Sequence, residues 1–423
     1  MYDRIKGLLK RKSVKNGAWM YALQFFNMIV PLLTLPYITR ILGSSLYGVF
    51  SIALNIVGYL QVTVEYGFGL SASRNVAING KKDLNKEFTA VIASRAIISL
   101  ICGFIALGYI FIKRDNIQLC ISFAILLICV LGTTVQMNWL FQGLQEMKYI
   151  SIVNIIARTV STVLIFLLVH TKNDLYMYCL LYSVSPFLSG FIGCFLAMKK
   201  YALKFIRITK QELWNELKSG FYVFTTQLSA KVFGTIGITF LGIFASHSEV
   251  GIFSAIQKIP SILILLWTPI DQVIYPLSSK HFNNSFAEGH RYVQKLRKLF
   301  IPLFGAIVAF IAIFSKFGVS LLYGAEYATR FYWLLPLLLW VIVAIDNNFL
   351  GIQTLLGSGH DKAYGEAFQI GVAATIALNF ILIKLWGGNG ASWAPLLSEL
   401  TLNVMLRIKA KPIYQQELDN VGV

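Results

Sequence analysis

Nine charged side chains lie within long apolar stretches of the sequence, and they are the best candidates for chemistry. They are Glu65, Arg95, Arg158, Lys231, Lys258, Asp271, Lys316, Asp346 and Glu399. A charge inside a membrane is energetically costly, so such residues are kept where they face a cavity, a partner side chain or water. Arginine can form two parallel hydrogen bonds to a phosphate group, and lysine offers a mobile point charge. Buried carboxylates can pair with these cations or take up a proton.

The stretches that hold these residues are long enough to cross a bilayer, which requires about 20 apolar residues. Of the 423 residues, 57% are hydrophobic and only 13% are charged, whereas soluble domains are about 25% charged. The sequence therefore predicts an all-α integral membrane protein with twelve transmembrane helices. The predicted segments are 17–39, 47–70, 88–112, 117–140, 150–169, 174–197, 220–245, 250–277, 299–322, 331–356, 364–384 and 390–408.

The distribution of basic residues predicts the orientation of these segments. Twenty-six of the 37 lysines and arginines lie in the termini and in the loops on the same side as the N-terminus. Six lie in the opposite loops and five lie within the segments. Because cytoplasmic loops carry an excess of Lys and Arg, both termini are predicted to be cytoplasmic. The same bias accounts for the net charge of +18 without a nucleic-acid partner. The basic inner loops, 198–219 and 278–298, could also contact anionic membrane lipids.

With this orientation, the position of each charge along its segment predicts its depth in the membrane, at about 1.5 Å per residue. Four charges fall in the cytoplasmic half, namely Glu65, Arg95, Arg158 and Asp271. Three fall near the middle, namely Lys231, Asp346 and Glu399, and Lys258 falls in the outer half. Lys316 is close to an outer end, where its long stem can reach the headgroups, so it is set aside.

A short internal repeat suggests how the segments are grouped. LYGVFSIA at 46–53 aligns with EVGIFSAI at 249–256, so that Gly48 matches Gly251. Both stretches open a segment after a short outer turn, the second segment and the eighth. Two six-helix bundles with the same orientation would be parallel repeats, and in such folds the substrate site lies in a cavity between the bundles.

The predicted domain organisation follows from this repeat and from the charge distribution. A cytoplasmic basic N-terminus (1–16) precedes an N-terminal six-helix bundle (17–197). A cytoplasmic basic linker (198–219) leads to a C-terminal six-helix bundle (220–408) and a cytoplasmic tail (409–423).

No pattern in the sequence indicates a metal, a nucleotide or a bound cofactor. The five cysteines fall inside apolar segments without redox or metal spacing, and the five histidines lie in or beside loops. The stretch GSGHDK at 357–362 lacks the spacing of a phosphate-binding loop and no strand precedes it. The sequence therefore predicts a protein that is not an enzyme, has no cofactor and does not use ATP.

Several motifs together resemble those of a known family. They are LTLPYITRILGSSLYGVFSIA at 33–53, YGFGLSASRNVA at 66–77, FYVFTTQLSAKVFGTIGITFLGIFASHSEVGIFSAIQKI at 221–259, PIDQVIYPLSSK at 269–280, LLYGAEYATRFYWLLP at 321–336 and WGGNGAS at 386–392. In order and spacing they resemble the O-antigen flippases, which export polysaccharide repeat units and are related to MATE multidrug exporters and lipid II flippases. The resemblance covers nearly the whole chain.

The resemblance implies a function as well as a fold. It implies two helix bundles around a cavity that opens alternately to each side of the bacterial plasma (inner) membrane. The implied substrate is undecaprenyl pyrophosphate carrying a short oligosaccharide, moved outward for O-antigen or another surface polysaccharide. A polysaccharide polymerase and a chain-length regulator are the implied protein partners.

For such a substrate, the intramembrane cations are the predicted contacts of the pyrophosphate. Arg95 and Arg158 near the inside, Lys231 in the middle and Lys258 further out would keep the anion paired at each depth. The alternative is that each cation pairs with an intramembrane carboxylate and joins two helices. Arg95 and Arg158 are also close enough to the inner surface to extend toward it.

The carboxylates have two open roles. Glu65 and Asp271 lie at similar depths in the second and eighth segments and could close an inner gate against Arg95 or Arg158. Alternatively, one of them could carry a proton that couples export to the ion gradient. Asp346 is a further coupling candidate, or a polar kink beside Asn347 and Asn348. Glu399 could also serve only to bridge two helices.

Two other functions are compatible with a polytopic membrane protein. The first is a MATE-type exporter of cationic drugs, although intramembrane lysines and arginines disfavour a cationic substrate. The second is a membrane enzyme of polysaccharide assembly. The short loops, which are poor in clustered His, Asp and Arg, argue against the enzyme.

Overall fold

The computed structural model describes residues 12–80 and 83–419, and these residues are almost entirely helical. Residues 1–11, 81–82 and 420–423 lie outside the described residues. They include most of the predicted basic N-terminus, two lysines of the loop 71–87, and the end of the predicted C-terminal tail.

The described residues of the first half of the chain form eight α-helices. They are α1 (Lys12–Glu65), α2 (Phe68–Asn79), α3 (Leu84–Ile112), α4 (Ile117–Leu126), α5 (Ile128–Thr134), α6 (Asn138–Gly143), α7 (Met147–Leu168) and α8 (Leu175–Tyr201). A short 3-10 helix, Lys172–Asp174, precedes α8. The predicted segment 117–140 is therefore divided among three helices, α4 to α6.

The second half forms nine α-helices. They are α9 (Lys210–Phe244), α10 (His247–Ile256), α11 (Lys258–Asn284), α12 (Phe286–Ile313), α13 (Ser315–Tyr323), α14 (Ala325–Ala328), α15 (Leu334–Asn348), α16 (Asp361–Trp386) and α17 (Gly388–Asp419). A 3-10 helix, Phe331–Trp333, precedes α15, and a π-helix, Phe349–Leu356, follows it.

Among the described residues, ten helical stretches are long and apolar enough to cross a membrane. Nine of them each overlap one predicted segment, and the tenth, Lys15–Asn79, contains the first two. The predicted segment 299–322 is divided, because Phe286–Ile313 ends within it and α13 holds the rest. The helix that holds the last predicted segment, α17, is not among the ten. The chain is thus a multi-pass, nearly all-helical membrane protein.

Helix α1 is broken at the predicted turn between the first two segments. Gly43 has φ 73° and ψ 175°, which is not helical, and the helix resumes at the next residue. A residue with a Cβ atom rarely adopts a positive φ, so glycine is the suitable residue at this break. The exposed carboxylate of Glu326 accepts hydrogen bonds from the backbone N–H of Ser44, at 3.1 Å, and from its hydroxyl. Glu326 thereby caps the resumed helix.

The predicted inner loops are shorter than the charge pattern indicates. Helix α9 begins ten residues before the predicted segment 220–245, and only Ser285 separates α11 from α12 within the predicted loop 278–298. The Ser285 hydroxyl accepts a hydrogen bond from the backbone N–H of Glu288 and caps α12. Charged residues form helices as readily as leucine does, so a helix can continue beyond its apolar portion.

The described residues form two compact units. One comprises the residues up to Leu42 together with Val49–Val232, and the other comprises Gly43–Gly48 together with the residues from Phe233 onward. The boundary falls within α9. The core of the first unit includes four aromatic residues that are almost fully buried, Phe68, Phe88, Trp139 and Phe141. The core of the second unit includes Leu350, Leu355, Leu402 and Leu406.

Within the second unit, the two glycines that match in the repeat pack against each other. A Cβ atom on Gly48 would lie 1.8 Å from the carbonyl oxygen of His247, and one on Gly251 would lie 1.9 Å from the carbonyl oxygen of Ser44. Ser44 and His247 are themselves separated by the repeat offset of 203 residues. The contact is therefore reciprocal, and it depends on the absence of a side chain at both positions.

Candidate functional site

Asp346 lies at the centre of a polar network in the second unit. Its Oδ1 atom is 2.5 Å from Nε of Arg297, and its Oδ2 atom is 3.2 Å from Nη2 of Arg407. The side-chain amide of Asn403 also donates to Oδ2, at 3.0 Å. The Asp346 side chain is only 14% exposed, so these pairs join α12, α15 and α17 in a partly desolvated environment.

The network continues from Asn403 to a buried carboxylate. Asn403 donates to the side-chain oxygen of Asn347 at 2.7 Å, and Asn347 donates to Oε2 of Glu399 at 2.6 Å. Glu399 and Asn347 are both buried. The arrangement agrees with a bridging role for Glu399, because its carboxylate ties α17 to α15.

Asp271 belongs to a separate cluster in the same unit. The Gln353 side-chain amide donates to Oδ1 of Asp271 at 2.7 Å and accepts a hydrogen bond from the Ser278 hydroxyl at 2.8 Å. Gln353 is fully buried in the π-helix. This type of helix is frequent at functional sites. The cluster fixes the Asp271 carboxylate between α11 and the π-helix.

Lys231 lies against a glycine of α1 in the first unit. A Cβ atom on Gly58 would lie 2.6 Å from the Lys231 Nζ atom. Nζ is also 5.7 Å from the centre of the Tyr59 ring, within the range of a cation–π interaction. The ammonium group is therefore held in a pocket that the missing side chain of Gly58 creates, at the midpoint of a long apolar helix.

Arg95 on α3 is bonded to backbone carbonyls at the end of another helix. Its guanidinium is buried and donates to the backbone carbonyl of Gln136 at 2.6 Å and to that of Thr133 at 3.4 Å. These carbonyls lie at and just beyond the end of α5, where the helix is interrupted before α6. Glu65 is near enough for its charge to act on Arg95. The arrangement brings together two residues that were predicted as gate partners.

Arg158 and Lys258 are placed separately from these clusters. Arg158 on α7 is partly buried and donates to the side-chain oxygen of Asn27 at 2.5 Å. Lys258 is the exposed first residue of α11, directly after the break that follows α10. Arg158 belongs to the first unit with Glu65, Arg95 and Lys231, whereas Lys258 belongs to the second with Asp271 and Asp346.

Sequence reasoning missed the partners of Asp346. Arg297 lies in a predicted loop, and Arg407 lies at the cytoplasmic end of the predicted segment 390–408 and was counted with the basic terminus, so neither was considered an intramembrane charge. The spacing of Asn403 and Arg407, four residues apart on one helix face, was the available signal, because such pairs lie side by side on a helix. No cluster of three or more His, Cys, Asp or Glu residues suited to a metal ion occurs in residues 12–80 and 83–419.

The fold is that of a known class of membrane transporters. The structure is similar to lipid II flippase MurJ in an inward-closed conformation, with a TM-score of 0.72 and 13% sequence identity, over 94% of this chain and 87% of that chain. It is also similar to an inward-facing MATE family multidrug transporter of the MOP superfamily. There the TM-score is 0.65 and the identity 14%, over 91% of this chain and 98% of the other.

The family follows from sequence. The profile described as "Polysaccharide biosynthesis protein" matches residues 13–282, more than half of the chain, and the chain belongs to this family. An Escherichia coli K12 protein named "Putative O-antigen transporter" is 24% identical over 395 residues, which cover 93% of this chain and 95% of that protein. These findings confirm the resemblance indicated by the motifs.

Proposed function

We propose that this protein is a flippase that moves undecaprenyl-pyrophosphate-linked oligosaccharide from the cytoplasmic to the outer leaflet of the plasma membrane. Alternating access would involve twelve membrane helices in two six-helix bundles, with both termini cytoplasmic. The family, the transporter fold and the name of the E. coli relative support this proposal. A polysaccharide polymerase and a chain-length regulator are the proposed partners in assembly.

The observation that carries the proposal is the position of Lys231. Its ammonium group lies against Gly58 and Tyr59 in the middle of apolar helices. A charge there is energetically costly, which makes Lys231 a candidate for a functional residue. A pyrophosphate crossing a low-dielectric region needs such a cation. We assign Lys231, Lys258 and Arg158 as pyrophosphate contacts. Arg95 is already bonded to two backbone carbonyls, so we propose that it attracts the pyrophosphate through its positive charge without contacting it directly.

The carboxylates are proposed to control the cycle. Glu65 is a gate residue with Arg95, since the charge of Glu65 acts on this arginine. Asp271, fixed by Gln353, is proposed as the corresponding gate or coupling residue of the second unit. Asp346 is proposed as the coupling residue. Its arginine partners lie on two other helices, so protonation of Asp346 would weaken the ion pairs that hold the three helices together.

The proposal is tested by flipping of a fluorescent polyprenyl-pyrophosphate oligosaccharide in proteoliposomes. Lys231→Ala and Lys258→Ala are each expected to reduce the flipping rate by about tenfold to a hundredfold, which corresponds to the loss of one charge-assisted hydrogen bond. Lys316→Ala serves as the matched control, because Lys316 is an exposed lysine at a helix start and should be neutral.

The outcomes separate the candidate functions. If both variants fold and flip the lipid as fast as wild type, the lysines are structural and the site assignment is wrong. If wild type leaves the lipid in place and expels a cationic dye, the protein is a drug exporter of the MATE type. A membrane enzyme would change the lipid covalently in detergent, which mass spectrometry of the recovered lipid detects.

Gly58→Ala is expected to separate transport from stability. The new methyl group would contact only the mobile end of Lys231, so the unfolding temperature should hardly change. The ammonium group must move, however, and the flipping rate should fall by about threefold to tenfold, equivalent to roughly 1 kcal/mol. Gly103→Ala, at a position with nothing within 4 Å of an added Cβ atom, is the control. Equal flipping rates in the two variants would contradict the assigned role of Lys231.

A further inference from the structure

The first half of α9 is in direct backbone contact with the junction of α1 and α2. A Cβ atom on Gly220 would lie 2.7 Å from the carbonyl oxygen of Tyr66, and one on Gly67 would lie 2.8 Å from the backbone nitrogen of Phe224. The rings of Tyr66 and Phe224 stack with centroids 4.7 Å apart. We call this contact, with the turns of α9 that precede it, the docking strip. At these two positions a side chain larger than that of glycine would collide with the neighbouring backbone.

Two carboxylates of the docking strip face α3 one turn apart. Glu212 forms an ion pair with Lys86, with 2.7 Å between Oε1 and Nζ. Glu216 is only 7% exposed and experiences the charge of Glu87, the neighbour of Lys86. Lys86 is paired with Glu212 and its charge also acts on Glu87, whereas the charge that acts on Glu216 is that of another acid, Glu87.

The hydrogen bonds around the second pair are incomplete for two ionised carboxylates. Oε1 of Glu216 is buried and has no hydrogen-bond partner in the described part of the chain. Glu87 accepts a single hydrogen bond here, from the Asn75 side chain at 3.0 Å. Among the described residues that line this edge, Asp83 is a further acid and Lys86 is the cation. Lys81 and Lys82 lie outside the described residues. A carboxylate that has one buried oxygen without a hydrogen bond and also experiences the charge of a second carboxylate is disfavoured, and protonation of one of the two relieves this cost.

We propose that Glu87 and Glu216 form a proton-binding site that is filled when the docking strip is closed. One proton held by this pair leaves a single negative charge and so removes the like-charge repulsion. This inference rests on the proposed function, because it identifies a proton as the regulator of the same transport cycle. Opening of the strip, on the side predicted to be cytoplasmic, exposes both carboxyl groups to water and releases the proton.

The sign of the pH dependence follows from the site. Closure takes up a proton, so a rise in pH favours the open strip. Consider the pH range in which Glu87 and Glu216 are both ionised in the open strip and together hold one proton in the closed strip. There the ratio of closed to open protein should fall by about tenfold for each pH unit. The Lys86–Glu212 pair does not contribute to this slope, because no proton is exchanged when an exposed ion pair separates near neutral pH.

Spin labels test the proposal without any transport measurement. Cysteines introduced for the exposed residues Ala77 on α2 and Asn215 on α9 report the distance across the strip in the full-length protein, after the native cysteines are replaced by alanine. In wild type the closed population should decrease as the pH is raised from about 6 to about 9. In Glu216→Gln it should stay closed throughout, because an amide needs no proton. Glu87→Gln should behave in the same way.

Glu212→Gln is the matched control. It removes the ion pair one turn away and should lower the closed population equally at every pH. The proposal is overturned if wild type shows no pH dependence, or if Glu216→Gln and Glu87→Gln retain the wild-type slope. Either glutamine variant suffices if the other does not fold. Since the readout is a distance, a protein that fails to flip the lipid can still pass this test, and an active flippase can fail it.

Discussion

Alanine at Gly48 or Gly251 is expected to lower the free energy of unfolding by about 3 kcal/mol, at the upper end of typical overpacking costs. The added Cβ atom would lie within 2 Å of a backbone carbonyl oxygen, whereas real contacts of this kind are essentially never below 3 Å. No side-chain rotation can relieve a clash between a Cβ atom and a backbone atom. The two helices must therefore separate by more than 1 Å, and the hydrogen bonds of Ser44 with Glu326 would be disturbed.

Thermal unfolding in detergent measures this effect, with an expected decrease of about 5 °C in the unfolding temperature. Gly103→Ala and Gly108→Ala on α3 are the controls, because nothing lies within 4 Å of a Cβ atom at either position. These variants should be neutral or slightly stabilised, since alanine is the better helix former. An unchanged unfolding temperature in Gly48→Ala and Gly251→Ala would show that this crossing does not exist in the folded protein.

Asp346→Ala is expected to destabilise the protein by about 3 kcal/mol, the lower end of the cost of breaking a buried ion pair. The carboxylate holds Arg297 and Arg407 together with Asn403, and its removal leaves two like charges side by side in a partly desolvated environment. The lower end applies because about half of the Arg407 side chain is exposed and is screened by water.

The second unit provides an internal control for this prediction. Glu366 and Lys409 form an ion pair whose side chains are 42% and 37% exposed. Glu366→Ala should cost less than about 1 kcal/mol, as exposed ion pairs do. If Asp346→Ala and Glu366→Ala unfold at the same temperature, the network around Asp346 does not stabilise the packing of its three helices.

A double-mutant cycle separates the pair from the rest of the network. The combination of Asp346→Ala with Arg297→Ala should be less destabilising than the sum of the two single changes, because removal of both partners leaves one buried charge fewer. A coupling energy near zero would mean that Arg297 does not depend on Asp346. Flipping assays on the same variants test whether Asp346 also couples transport.

The sequence by itself determined the class of the protein and the position of most of its long apolar helices. The low charge content and the long apolar stretches predict membrane helices. Each stretch can be recognised by itself, because charged residues are costly in lipid wherever the helix lies in the fold. An interruption between the first two segments was predicted over residues 40–46, because a glycine between apolar segments is a local signal, and it is confined to Gly43. The family was also accessible from motifs, and the profile of the polysaccharide biosynthesis family confirms it. None of these inferences requires knowledge of which helices are neighbours.

Tertiary structure decided which charges meet. Arg297 and Asp346 are separated by 49 residues in the chain, and Asp346 and Arg407 by 61. Their contact depends on the rotation and packing of three helices. Apolar helices have little amphipathic pattern to reveal which face is turned inward, so the pairing of Asp346, the bonding of Arg95 to backbone carbonyls and the burial of Glu216 beside Glu87 were not predictable. Depth in the membrane follows from counting along one helix, whereas the partner of a charge follows only from the packing of several.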